Sequence, residues 1–248
     1  MIKLNRGVCP EALTDEVCSE LTKLYAENKN KDVWNSPKIK DSLKKALLEM
    51  SHDKCAYCEC RLGIESKDVT IDHFLPKSLN GDKVVEWENL FPSCLRCNRS
   101  KNAAEDIIVN PCEDEPGKYL ALYKRNPFRL KGIDEEGIGK KTIDIVDLNN
   151  SERVMVPRMV QWEDIYQRLE EIREDLIEEG YKEKYRKRFK ILMEKCTYNN
   201  DYSAVKASNL LNDEVYIWIK QSISDNGRWT VEMQQIEEEL QKISLQFI

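Results

Sequence analysis

Apolar residues recur at helical spacing toward both ends of the chain, while the middle follows a different pattern. Near the N-terminus, Val17, Leu21, Leu24 and Tyr25 form one stripe behind Thr14, a residue suited to capping a helix start. A polar turn from Asn28 to Asp32 follows. Ser36-Pro37 then sets a capping residue before a proline at the first helical position, with Ile39, Leu43, Leu47 and Met50 on one face. From Ser151 onward three more stripes appear. Ile165, Leu169, Ile172 and Leu176 make the first, which Gly180 can end; Tyr181, Tyr185, Phe189 and Leu192 make the second. Met233, Ile236, Leu240 and Ile243 make the third. Such stripes normally bury against one another, and the last also suits docking of a partner.

Between these ends, Val69-Thr70-Ile71 is β-branched and short, with a charged turn before it and Pro76 after it. It predicts a strand ending at Asp72-His73. Residues 79–83 hold turn chemistry, and Leu95 to about Ile107 suits a helix with Cys94 near its start. Proline and glycine punctuate residues 110–150, where Thr142–Val146 alternates in strand fashion. This predicts four regions: N-terminal helices over 1–52, a compact module over 53–110, an irregular connector with a strand or two over 111–150, and a helical region over 151–248. No repeat of fixed period is present.

With 41% apolar and 34% charged residues over 248 positions, the chain reads as globular and charge-rich. No apolar run is long enough to span a bilayer and no signal-peptide core stands at the start, so a cytoplasmic location without a membrane partner is expected. The net charge of −6 argues against coating nucleic acid by bulk attraction and leaves room for a local basic site. The run Tyr181–Lys190 mixes six basic residues with aromatics. It could track a phosphate backbone, but an amphipathic helix with solvated charges is the preferred reading.

Nine cysteines, an odd number, argue against a disulfide framework and favour metal. Cys55 and Cys58, with Cys94 and Cys97, form two C-x-x-C pairs, each able to deliver two thiolates to a tetrahedral zinc. Four thiolates close the coordination sphere, so this zinc would be structural. Cys60 fits the set less well. Between the pairs, Asp72 offers a hard oxygen ligand for Mg²⁺ and His73 a general base. Asn98 offers a second oxygen ligand, Asn89 an amide to tie the intervening loop, and Arg96, Arg99 and Lys101 charge for phosphates. His52, one of two histidines, reads as structural or solvated.

The ordered motifs C-A-Y-C-E, T-I-D-H-F-L-P-K-S, W-E-N-L-F-P-S-C and C-N-R-S-K-N resemble the HNH endonuclease family. The resemblance implies a mainly α chain carrying a small ββα-metal (His-Me finger) HNH module stapled by a Cys₄ zinc. It implies His73 as general base, Asp72 and Asn98 as ligands of a catalytic Mg²⁺ or Mn²⁺, and Asn89 as the bracing residue. The last family position is commonly His and here is Asn98. Residues 53–158 are more closely similar to the PtuB-like nuclease subunits of Septu-type and retron-associated antiphage systems. That similarity implies a nucleic acid substrate, DNA or RNA, and a PtuA-like ABC-type ATPase partner. The alternatives are a zinc-stapled nucleic-acid-binding module without turnover, or an adaptor with a degenerate core.

Overall fold

A computed structural model describes residues 1–63 and 69–248, so the charged turn expected ahead of Val69 lies outside the described residues. Helix α1, Asp15–Glu27, starts at the expected cap: Thr14 Oγ1 accepts from the Val17 N–H at 3.3 Å. Helix α2, Lys40–Ser51, begins three residues beyond Pro37. A 3₁₀ turn at Val33–Asn35 first buries Val33 and Trp34, and a turn closed by Ile39 N–H to Ser36 O delays the helix. Leu43, Leu47 and Met50 then face the core as their spacing predicts.

Strand β1, Val69–His73, pairs antiparallel with β2, Leu90–Cys94, setting Asp72 opposite Phe91 and His73 opposite Leu90. Every residue of β2 is buried, with α2 packed against it. Helix α3, Leu95–Lys101, leaves β2 directly, and Cys94 caps it through Sγ, which accepts from the Cys97 N–H at 3.4 Å. It stops well short of Ile107 because Asn102 takes a positive φ of 46°.

After the four-residue helix α4, Pro116–Tyr119, the connector forms a hairpin from β3, Leu120–Tyr123, and β4, Asn126–Gly132. Thr142–Val146, predicted as a strand, instead belongs to helix α5, Ile138–Val146. Gly139, Thr142, Ile143 and Val146 are its buried face, a helical spacing that strand alternation would not give. Asp134 caps it, accepting from the Ile138 and Gly139 N–H groups at 2.6 and 2.7 Å. A side chain at Gly139 would collide with the Tyr119 carbonyl.

A π-helical turn, Ser151–Met155, leads into α6, Val156–Glu179, which Gly180 ends at φ 70°. Then follow α7, Glu183–Glu194; α8, Ser203–Leu211; α9, Glu214–Asp225; and α10, Val231–Ile243. Helix α8 is buried on nearly every side, so no amphipathic stripe announced it. Two apolar cores result. One gathers residues from the N-terminal helices, the paired strands and the connector together with Tyr202, Ala204 and Val205; the other lies among the helices from α6 to α10. Among the described residues, no helix is long and apolar enough to cross a membrane.

The basic run lies on α7 as an amphipathic face. Tyr185 and Phe189 are buried, while Arg188 pairs with Asp175 and Glu171 and Lys190 with Glu232. Reversing the charge at Arg188 is therefore expected to leave nucleic acid affinity and its salt dependence unchanged. Stability should fall by no more than about 1 kcal/mol. Filter binding across a salt series and a thermal melt check both.

Candidate active site

The two C-x-x-C pairs meet. The sulfurs of Cys55, Cys58, Cys94 and Cys97, all buried, lie within 4.8 Å of one another, and Cys58 Sγ is 3.9 Å from Cys94 Sγ. Zinc–sulfur bonds of about 2.3 Å at tetrahedral angles require sulfur separations of about 3.8 Å, so the set fits zinc. Cys60 is buried beside the cluster but is not among the four sulfurs that converge. Its carbonyl accepts from the Cys55 N–H at 2.9 Å and closes the knuckle.

Glu59 turns the knuckle with φ 64° and fastens it to α8, accepting from Ser203 Oγ at 2.6 Å and the Ala204 N–H at 3.2 Å. Burial alone would raise its pKa. The N-terminal ammonium at 2.5 Å and Lys54 at 3.9 Å prevail and hold it down to about 2. Arg96, expected to hold phosphate, is committed elsewhere. It donates to Cys97 Sγ at 3.2 Å, where its charge offsets the thiolates, and to Asp147 O and Oδ2 at 3.0 and 3.3 Å.

The end of β1 lies beside this knuckle. Asp72 is buried; Tyr57, from the first C-x-x-C turn, donates to its Oδ2 at 2.5 Å, and Lys101 Nζ lies 3.2 Å from the same oxygen. Burial raises the Asp72 pKa, and Lys101 and Tyr57 counter it. Lys101, also expected at a phosphate, is buried behind the strand and donates to the His73 carbonyl at 2.6 Å. An ammonium held there supports Asp72 and cannot reach a solvent-exposed phosphate.

His73 stands edge-on to Trp34 with ring centroids 4.7 Å apart, and its Nε2 lies 2.9 Å from the Val84 carbonyl. Burial pushes its pKa down to about 4; the Val84 hydrogen bond opposes this, and the charges of Lys77 and Lys101 add to it. Asn89 braces the loop between the strands, its Oδ1 accepting from the Leu75 N–H at 2.7 Å and its Nδ2 donating to Leu75 O and Lys83 O. Asn98, on α3, donates through Nδ2 to Thr70 Oγ1 at 3.0 Å, which leaves its carbonyl oxygen for another partner. Asp72, His73, Asn98 and the exposed Arg99 line one cleft of about 580 Å³. His52 lies apart, against the ring of Tyr198.

A family model described as HNH endonuclease matches residues 55–104, from the first cysteine pair through α3. The chain is 34% identical to "Septu protein PtuB" of Bacillus thuringiensis over 95% of its own length and 92% of that protein's. The chain belongs to the Septu PtuB family. A second member, from Bacillus mycoides (strain KBAB4), is 29% identical over 45% of this chain and 48% of its own. This PtuB-family chain is an HNH-type nuclease, mainly helical, with four clustered cysteines suited to zinc.

Three residues that position the PtuB-family cleft were not singled out in the sequence. Tyr57 touches Asp72, Trp34 packs on His73, and Arg6 ties down the bracing loop by donating to the carbonyls of Trp87, Glu88 and Leu90. Only Tyr57 carried a signal, by standing between two metal-ligating cysteines. Tyr57→Phe should cost about 1–3 kcal/mol, since it strips a donor from a buried carboxylate. It should also raise the divalent-cation concentration needed for half-maximal cleavage. A cation titration beside a thermal melt separates these two effects.

Proposed function

We propose that the chain hydrolyses phosphodiester bonds of nucleic acid in the cleft that holds Asp72, His73 and Asn98. The observation that carries this reading is the fixing of His73. The Val84 carbonyl can only accept, so Nε2 bears the ring proton and Nδ1 keeps its lone pair. With its pKa depressed, the ring is neutral at neutral pH and free to take a proton from water. A substrate phosphate in the cleft would bring the pKa back toward neutrality by opposing the Lys77 and Lys101 charges.

Asp72 and Asn98 would hold a divalent cation through one carboxylate and one amide oxygen, a set that suits Mg²⁺ or Mn²⁺. When bound, that cation offsets charge on the phosphoryl and leaving 3′ oxygens. His73 then directs water in line with the 3′ oxygen, so that the 5′ side keeps the phosphate. Asn89 holds the loop that carries the Val84 contact, and Arg99 at the rim offers charge to the backbone. Residues 53–110 would form the nuclease unit, with a structural zinc at its base. Family membership supports a role as effector in antiphage defence alongside a PtuA-like ABC-type ATPase.

The test is incubation of the zinc-loaded chain with plasmid DNA and with total RNA, in Mg²⁺, in Mn²⁺ and without added cation. Cation-dependent cutting that leaves 5′-phosphate ends is expected. Cutting without added cation, or ends with 3′-phosphate, would contradict the proposed chemistry.

A further inference from the structure

The cleft that holds His73 is bounded on one side by α3, through Leu95, Asn98 and Arg99. On the far side of that helix a second cleft, of about 910 Å³, opens between the zinc knuckle and the turn Ser151–Met155. Leu95 and Arg99 line both clefts, so one exposed guanidinium stands where they join. The far wall carries Arg153, also exposed.

Both arginines stand in a concave site without an acidic partner among the described residues. Some surface arginines are neutralised by acids, as Arg168 is by Asp164 and Arg188 by Asp175 and Glu171. Among the described residues, no ion pair within 4.0 Å involves Arg99 or Arg153. Of the acids in this cleft, Asp147 is already engaged, accepting from Arg96 at 3.3 Å and Asn150 Nδ2 at 2.9 Å; Glu152 is the other. The hydroxyls of Ser100 and Ser151 add neutral donors. The helical run beginning at Ser151 starts on this wall, with the Asn150 side chain accepting from the Arg153 N–H at 3.0 Å. In a chain of net charge −6, this leaves uncommitted positive charge in a concave site that adjoins the reaction cleft through Leu95 and Arg99.

We propose that the second cleft binds the phosphodiester backbone of the substrate strand beyond the scissile linkage, with Arg153 contacting a phosphate there and Arg99 spanning the two clefts. The proposal rests on the nuclease reading of the adjoining cleft. Its consequence is that affinity comes from phosphates on one side of the cut, without reading of bases.

The experiment uses the full chain with His73→Ala, so that binding is read without cutting. Probes are labelled strands of about 30 nucleotides, as single-stranded DNA, single-stranded RNA and both duplexes, measured by fluorescence anisotropy across a salt series. Adding Arg153→Glu should weaken binding about tenfold and make the slope of log K against log salt shallower by about 0.7–0.9, the contribution of one phosphate contact. Arg153→Lys should restore both. Whichever probe shows the Arg153 effect identifies the nucleic acid.

Unchanged affinity and slope in Arg153→Glu would overturn the subsite, as would failure of the His73→Ala chain to bind any of the probes. Cleavage by the wild-type chain is scored separately. Cutting with a neutral Arg153→Glu removes the subsite and leaves the nuclease, whereas Arg153-dependent binding without cutting keeps the binding cleft and removes the nuclease reading.

Discussion

Replacing Cys58 with alanine is expected to release one metal equivalent and abolish the cooperative thermal transition of the zinc module. The sulfurs of Cys55 and Cys58, ahead of β1, converge with those of Cys94 and Cys97 at the junction of β2 and α3, and Cys94 also caps α3. Structural zinc binding supplies about 10–16 kcal/mol, comparable to or greater than the whole stability of a typical domain. Glu59, between Cys58 and Cys60, fastens the same knuckle to α8, so loosening it reaches the C-terminal helices. Cys60→Ala is the matched control and should keep its metal, since Cys60 lies outside the converging set. Metal content by atomic emission, read beside thermal melts, decides the matter. Metal kept in Cys58→Ala and lost in Cys60→Ala would reassign the ligands.

Asp72→Asn should depress cleavage by about three orders of magnitude, the result of losing a cation ligand from a site with few others. It should also destabilise the chain. The buried ammonium of Lys101 pairs with this carboxylate, and an uncompensated buried charge costs about 3–5 kcal/mol. Asn98→Ala separates the two effects: it removes a proposed ligand from the same cleft without stranding a charge, its contact being to the Thr70 hydroxyl. It should keep a near-wild-type melting temperature while cation affinity, measured by Mn²⁺ binding, falls. A variant melting normally with unchanged Mn²⁺ binding would take Asn98 out of the ligand set.

Where short-range chemistry dictates structure, the sequence was informative. The Thr14 cap, the β-branched strand ending at His73 and the meeting of four cysteines all follow from local rules that the fold obeys. Thr142–Val146 misled because its short apolar run reads as alternating, while the helix it belongs to starts earlier, at a local cap: the Asp134 carboxylate accepting from the Ile138 and Gly139 N–H groups. Helix α8 lacks an exposed face, burying Lys206, Ser208 and Asn209 with its apolar residues, and so shows no stripe, whereas α9 buries Val215, Tyr216, Ile219 and Ile223 in a stripe that is legible.

Lys101 and Arg96 show a different limit. Composition marks them as cations but cannot say that one is buried against Asp72 and the other turned toward Cys97 and Asp147. The contacts of Arg6 and Trp34 join residues far apart in the chain, and no periodicity encodes them. Only assembly of the whole core brings them to the cleft.

The central claim is that a neutral His73, its tautomer set by Val84, activates water in this cleft. The most direct test compares wild type with His73→Ala under single-turnover conditions, on whichever nucleic acid the wild type cuts, with binding measured in parallel. The expected result is a loss of about 10²–10⁴-fold in rate with affinity for the strand unchanged. Equal rates in the two proteins would contradict the mechanism, because no proton acceptor at position 73 would then be needed.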